Sequence, residues 1–531
     1  MMADEPPPYS PDPPYSLASE AVTIRCSISG LSVEIIEQII IHACVVSEDG
    51  DYELDPSPSR SKRWFRRCHP LTLGGVCKFW RDYMWSTSVF WTTIIFRVHP
   101  DSVHHRQELL EDWLARAKGQ PLSIMVDCPD FNFTGNRRIY LTLSLALLAH
   151  QAPQWRRIEV HLPLCWYEHL FPKTQGTVPS YPLLQQASLN FTNEMADGER
   201  VLDSSLPDFT RANSLQKLAL SRVHLRAQPI IGASASDHTP VTCTTLQNVF
   251  PKKLTSLILC NVDTTTSTNL LQFLFKRFTK LVHLTMLNCQ MHPAPPVQRK
   301  ICSNLRALTI SVTEVAGLHN LIPTKFIFPN LKALTVYGRE KFLYSRYILP
   351  FLENSDCRLE KFELKCPIAM EYEYDLIQLL SNDTISSALK ELCIEDMVCE
   401  DQQNSIHPEE KGLGSTFFEV LHPDSDPDYL PKLELFAYAG PLAVASIEFL
   451  EPFILRSQIR DKLQSTGDFQ KSTSSTENQT SILRKVDIRA EQYISDCTIS
   501  EYPDPQYIWE VFNMIDQGIL SLKNNDGSHW E

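Results

Sequence analysis

One phrase recurs along most of this chain: an apolar residue, two others, an apolar residue, one other, and a third apolar residue. Copies begin at Trp155, Leu184, Leu215, Leu254, Leu281, Leu305, Leu331, Leu359, Leu389, Leu433 and Leu483. Successive starts lie 24 to 50 residues apart. The last two apolar positions alternate with other residues, the period of a strand with one buried face. Helix-like stretches lie between copies, for example 270–278, 347–352 and 374–380. A unit of one strand and one helix cannot hide its apolar face alone. Stacking units side by side buries it, so the phrase predicts a solenoid over residues 99–531 and is first a structural signal.

The phrase matches the LxxLxL strand of leucine-rich repeats, whose usual period is about 20–29 residues. The Asn or Cys common at the ninth position is mostly missing, with Cys289 the match. These are irregular repeats, and a non-repeating α/β domain is the alternative. In a leucine-rich solenoid the residues between the buried leucines face the concave side. Here they are Ser256, Ile258, His283, Thr285, Thr335, Tyr337, Lys361, Glu363, Lys365, Glu391 and Glu395, a candidate target-binding face that passes from neutral to charged. Residues 460–480, rich in Ser, Thr and Gln, read as a low-complexity loop. Residues 507–522 read as a closing amphipathic helix carrying Trp509, Val511, Phe512 and Ile515.

The N-terminal region has a different pattern. Residues 1–28 form a Pro-rich acidic tail expected to be disordered. Within it Pro6-Pro7-Pro8-Tyr9 matches the PPxY ligand of WW domains, with Pro6, Pro7 and Tyr9 as its contacts. Residues 31–45 have helical spacing, with Ile35, Ile36, Ile39 and Ile40 on an apolar stripe and Ser32 as the N-cap. Residues 47–69 are an inserted loop with a basic cluster, Lys62, Arg63, Arg66 and Arg67. Helical spacing returns over 71–87, with Gly74 and Gly75 marking a bend, and residues 92–98 read as a strand.

Three pieces of this region carry a family resemblance. Leu31-Ser-Val-Glu-Ile-Ile resembles the opening of an F-box. Leu73-Gly-Gly-Val-Cys-Lys-Phe-Trp-Arg-Asp-Tyr resembles its third helix, and Ser88-Val-Phe-Trp91 the ending that follows. Residues 29–98 are thus similar to the F-box-like domains of mushroom-forming fungi, where a loop commonly splits the first helix from the second. Leu31-Ser32 stands where the family usually has Leu-Pro, and the inserted loop is long. Pro and Ser both start helices, so the first departure is physically mild.

With the repeats, the resemblance implies an α+β fold: an N-terminal three-helix F-box followed by an irregular leucine-rich-repeat-like α/β solenoid. It also implies an apolar surface laid on a Skp-type adaptor. Leu31, Ile35, Ile36, Ile39 and Ile40 would supply the first-helix part, and Val76, Cys77 and Trp80 the third-helix part. The partners implied are the adaptor, through it a cullin–RING ubiquitin ligase, and a target protein on the solenoid. A non-ligase interaction scaffold is the alternative reading.

Composition narrows the remaining classes. A net charge of −14 over 531 residues repels phosphate backbones on average, so no nucleic-acid partner is expected. No apolar run reaches membrane-spanning length. The 15 cysteines are scattered without a CxxC pair, and no secretory signal precedes them. That pattern predicts reduced thiols in the cytoplasm or nucleus. No phosphate-binding Gly loop, HExxH, GxSxG or zinc-spaced Cys/His set occurs. Neither an enzyme nor a cofactor is therefore expected. His104-His105 and Cys68-His69 stand isolated, and Cys77 reads as a packing residue.

Overall fold

The computed structural model describes residues 31–44, 70–98, 102–128, 135–172, 180–192, 207–223, 251–264, 270–291, 300–312, 326–338, 344–368, 373–396, 412–426, 428–444, 447–465, 483–490, 505–524 and 528. The tail with Pro6, Pro7 and Tyr9, the 47–69 insert and residues 466–480 of the low-complexity stretch lie outside them.

Helices and strands are mixed, and one large parallel sheet dominates. Its fourteen strands are β1 (Thr93–Arg97), β2 (Leu122–Asp127), β3 (Trp155–Pro163), β4 (Gln186–Thr192), β5 (Lys217–Ser221), β6 (Ser256–Cys260) and β7 (His283–Leu287). They continue as β8 (Ala307–Val312), β9 (Ala333–Gly338), β10 (Lys361–Lys365), β11 (Glu391–Glu395), β12 (Leu435–Ala439), β13 (Lys485–Arg489) and β14 (Leu520–Lys523). They lie side by side in sequence order, each parallel to the next.

Each of the eleven phrases supplies one strand, β3 to β13, and all three of its apolar residues are buried. The register aligns the phrases. A column of apolar side chains runs from Ile94 through Ile124, Ile158, Ala187, Leu218, Leu257, Leu284, Leu308 and Leu334 to Phe362, Leu392, Phe436, Val486 and Leu520. Burying a side chain of this size stabilises by about 2 kcal/mol relative to leaving it in water. A one-residue slip would turn a whole strand's set outward, so the pattern fixes the register.

Three helices precede the sheet, α1 (Val33–Cys44), α2 (Pro70–Gly74) and α3 (Lys78–Ser86), and others connect its strands: α4 (Val103–Ala117), α5 (Asn136–His150), α6 (Leu164–Leu170) and α7 (Leu270–Arg277). After these come α8 (Tyr344–Ser355), α9 (Glu373–Leu380), α10 (Asp383–Ser386), α11 (Ser415–Leu421), α12 (Glu451–Ser465) and α13 (Pro505–Asp516). Units β3–β5 fill their core with rings. Trp155 stacks on Tyr181 at 5.6 Å, and Tyr167 on Phe191 at 4.2 Å.

Of four sequence expectations, three change and one holds. The strand at 93–97 pairs with β2, so a domain boundary at residue 98 would cut a continuous sheet. Trp91 locks the N-terminal helices to it: its indole donates to the Met84 carbonyl at 2.8 Å and meets Trp113 edge-on at 4.9 Å. Second, the bend expected at Gly74 and Gly75 is present: it separates α2 from α3, with Val76 in the turn between them. Third, α12 runs to Ser465, so 460–465 are helical. Fourth, the helix expected over 507–522 ends at Asp516. Gly518, at φ +70°, takes the left-handed conformation that closes a helix, and the Ile519 N–H returns to the Met514 carbonyl. Residues 520–523 then alternate buried and half-buried and complete the sheet as β14.

At the eighth position of their phrases, Arg222, Asn261 and Asn288 adopt left-handed backbone at φ +60°, +50° and +50°, which Asn tolerates. At Cys289, the one ninth-position match, the thiol donates to the Leu259 carbonyl of the preceding unit at 3.5 Å, and burial pushes its pKa up to about 12. Two buried charges tie later units together. Glu373 accepts from the backbone N–H of Gly414 and Phe417 at 3.0 and 2.8 Å, at the start of α11. Burial raises its pKa, partly opposed by those two donors. Arg456 donates to the carbonyls of Leu421, Leu430 and Tyr429 at 3.0, 2.9 and 2.7 Å, and burial lowers its pKa to about 10.

Candidate interaction surfaces

On α1 the isoleucines divide by the 100° step of the helix. Ile36 and Ile40 face the core at 3% and 0% exposure, whereas Ile35 and Ile39 stand 50% and 46% exposed. Trp80 is likewise core at 8%. Ile36, Ile40 and Trp80 therefore belong to packing and not to the outer surface expected of them. A sequence stripe at i, i+1, i+4 and i+5 is wider than the contact it buries.

The rest of the expected adaptor set, Leu31, Ile35, Ile39, Val76 and Cys77, is exposed. Cys77 is also the N-cap of α3, its sulfur accepting from the Trp80 N–H at 3.4 Å. The structure adds Val33, Leu71, Phe79, Trp85 and Val89 as exposed apolar neighbours in sequence. Among the described residues, half of the exposed large apolar side chains fall within 31–89.

The eleven residues assigned to a target-binding face do lie on one face of the sheet, opposite the buried column. Ser256, His283, Lys361 and Glu391 share one row, while Ile258, Thr285, Thr335 and Glu363 share the next. Tyr337, Lys365 and Glu395 share a third. Their environments differ. Ile258 packs with Ala219, Cys260 and Leu287 and is only 6% exposed, so it is a packing residue. Thr285, Thr309 and Thr335 form a half-buried hydroxyl row.

The charged end is neutralised from within. Lys361 pairs with Glu391 at 3.4 Å, and Lys365 with Glu363 and Glu395 at 3.0 and 3.2 Å. Thr335 donates to Glu363 at 3.3 Å, and the Lys365 ammonium lies 5.3 Å from the Tyr337 ring. Burial opposes the charge on Lys361, but Glu363 and Glu391 outweigh it and raise its pKa. Opposite charges directly across a ladder stabilise the pairing. Reversing Lys361 alone (Lys361→Glu) should destabilise by about 0.3–1 kcal/mol, and the swap Lys361→Glu/Glu391→Lys should recover most of that in a denaturant double-mutant cycle. Additive losses would show that the pair is not an energetic unit.

His104, His105 and Glu108 bring ligand atoms within 4.8 Å of one another, all exposed, in the first turns of α4. Glu108 is four residues after His104, so helix geometry brings these two together. Among the described residues no helix is long and apolar enough to cross a membrane. No protein-family model matches the chain, and no curated protein matches it.

Proposed function

We propose that this chain is the substrate-recognition subunit of a Skp–cullin–F-box type ubiquitin ligase. On this reading α1–α3 are an F-box, and the sheet with its helices is an irregular leucine-rich-repeat-like solenoid that holds the target. The activity then belongs to the ligase, and this chain raises the local concentration of target lysines. The observation that carries the reading is the exposed apolar set on and around α1–α3, including Ile35, Ile39, Val76 and Phe79. A module whose own core is already filled by Ile36, Ile40, Trp80 and Met84 does not need these side chains for packing. In-order strand pairing with aligned phrases supports the solenoid part.

Co-purification with the host's Skp-type adaptor tests it. The wild type should capture the adaptor, and Ile35→Asp/Val76→Asp should lose capture at unchanged melting temperature. Failure of a folded wild type to capture it would sink the ligase reading and favour an interaction scaffold of another kind.

A further inference from the structure

Residues 251–338, which hold β6 to β9, carry ten lysines and arginines and only two acids, Asp263 and Glu314, in a chain of net charge −14. Both acids follow strand ends in sequence, after β6 and β8. Six of the ten cations lie toward the opposite edge. Lys252 and Lys253 precede Leu254, and Lys280 precedes Leu281. Arg306 follows Leu305, Lys332 follows Leu331, and Lys276 lies in the last turn of α7, which precedes β7. Because β6–β9 are parallel and in register, the five beside the strand starts share one rim of the sheet. All six residues are exposed. Among the described residues Lys332 is the one of the six with an ion pair, to Glu360 at 2.5 Å.

The next units show what a self-sufficient rim looks like. At the position held by Arg306 and Lys332, the sequence continues with Glu360, Lys390, Glu434 and Arg484. These alternate in sign and pair across the strands, Lys390 with Glu360 at 3.5 Å and Arg484 with Glu434 at 3.2 Å. The β6–β9 rim instead holds one sign. Like charges so arranged repel each other, and an anion laid along them removes that cost.

We propose that the β6–β9 rim binds an acidic segment of a partner protein, an extended run with carboxylates on alternate residues. Strand starts are about 4.8 Å apart, so the rim spans roughly 15 Å, and alternate side chains of an extended peptide recur every ~6.6 Å. About three carboxylates would face it. Nucleic acid fits less well, because the whole chain's negative charge opposes a long polyanion. Binding at this rim does not depend on whether α1–α3 dock an adaptor.

Fluorescence anisotropy on the full chain tests the rim with three probes: a labelled ten-residue peptide with alternate Glu, its Gln counterpart, and a single-stranded RNA oligomer. The Glu peptide should bind, weaken with added salt, and bind about tenfold more tightly than the Gln peptide. Lys253→Glu/Lys280→Glu/Arg306→Glu should lower its affinity at least about tenfold at unchanged melting temperature, while Lys390→Glu leaves it unchanged. Equal affinity for the Glu and Gln peptides, undiminished binding by the triple variant, or tighter binding of RNA than of the Glu peptide would each overturn the proposal.

Discussion

Ile36→Asp should unfold the N-terminal helices, while the same change one residue earlier, Ile35→Asp, should leave them folded. Ile36 is nearly fully buried within the core that includes Ile40, Trp80 and Met84. A carboxylate there meets no partner, and a buried unpaired charge costs more than about 4 kcal/mol. Ile35 is half exposed, so its replacement should change stability by no more than about 0.5 kcal/mol. Hydrogen exchange over residues 33–44 reads both: fast exchange in Ile36→Asp, wild-type protection in Ile35→Asp. If adaptor capture is measured alongside, Ile35→Asp tests docking and Ile36→Asp reports only the loss of the fold. Equal protection in the two variants would contradict the inward placement of Ile36.

Arg456→Ala should cost roughly 3–5 kcal/mol, because three buried carbonyls, those of Leu421, Tyr429 and Leu430, lose their donors together. One of them ends α11, and Leu430 sits in a left-handed turn at φ +50°. Arg456 thus holds the C-terminal end of a helix and a tight turn in a single side chain. Arg456→Lys should restore less than half of the loss, since an ammonium on one stem cannot span three acceptors that a planar fork reaches. Denaturant unfolding of wild type and both variants measures this. A loss under about 1 kcal/mol for Arg456→Ala would mean that water replaces the guanidinium at those carbonyls.

The repeated phrase made most of the sheet legible beforehand, since its first, fourth and sixth positions are all buried in each copy. β14 was not legible because Leu520–Lys523 lacks the opening part of the phrase and follows a helix with no marked stop except Gly518. The eleven facing residues were placed on a shared face by the leucine-rich pattern, in which residues between the buried leucines face one side. Their partners were not, because ion pairs such as Lys361–Glu391 depend on which strands become neighbours. The isoleucine stripe was legible as a helix, but spacing cannot tell which edge of a wide stripe turns inward. That depends on what Trp80 and Met84 bring from a separate helix. The basic rim escaped notice because its residues are scattered along the sequence and meet only when the strands align.

Strict neighbour-to-neighbour strand order also sets how this molecule would yield to tension. Among the described residues, no strand of the large sheet is clamped between segments distant in sequence, so a pull applied at the two ends meets no single lock among them. The sheet would come apart strand by strand from whichever end is weaker. Each release would free one interval of 24 to 50 residues, roughly 80–170 Å of extended chain. The uneven spacing of the phrases would then appear as a staircase of unequal steps, a length record of the repeats written in extension.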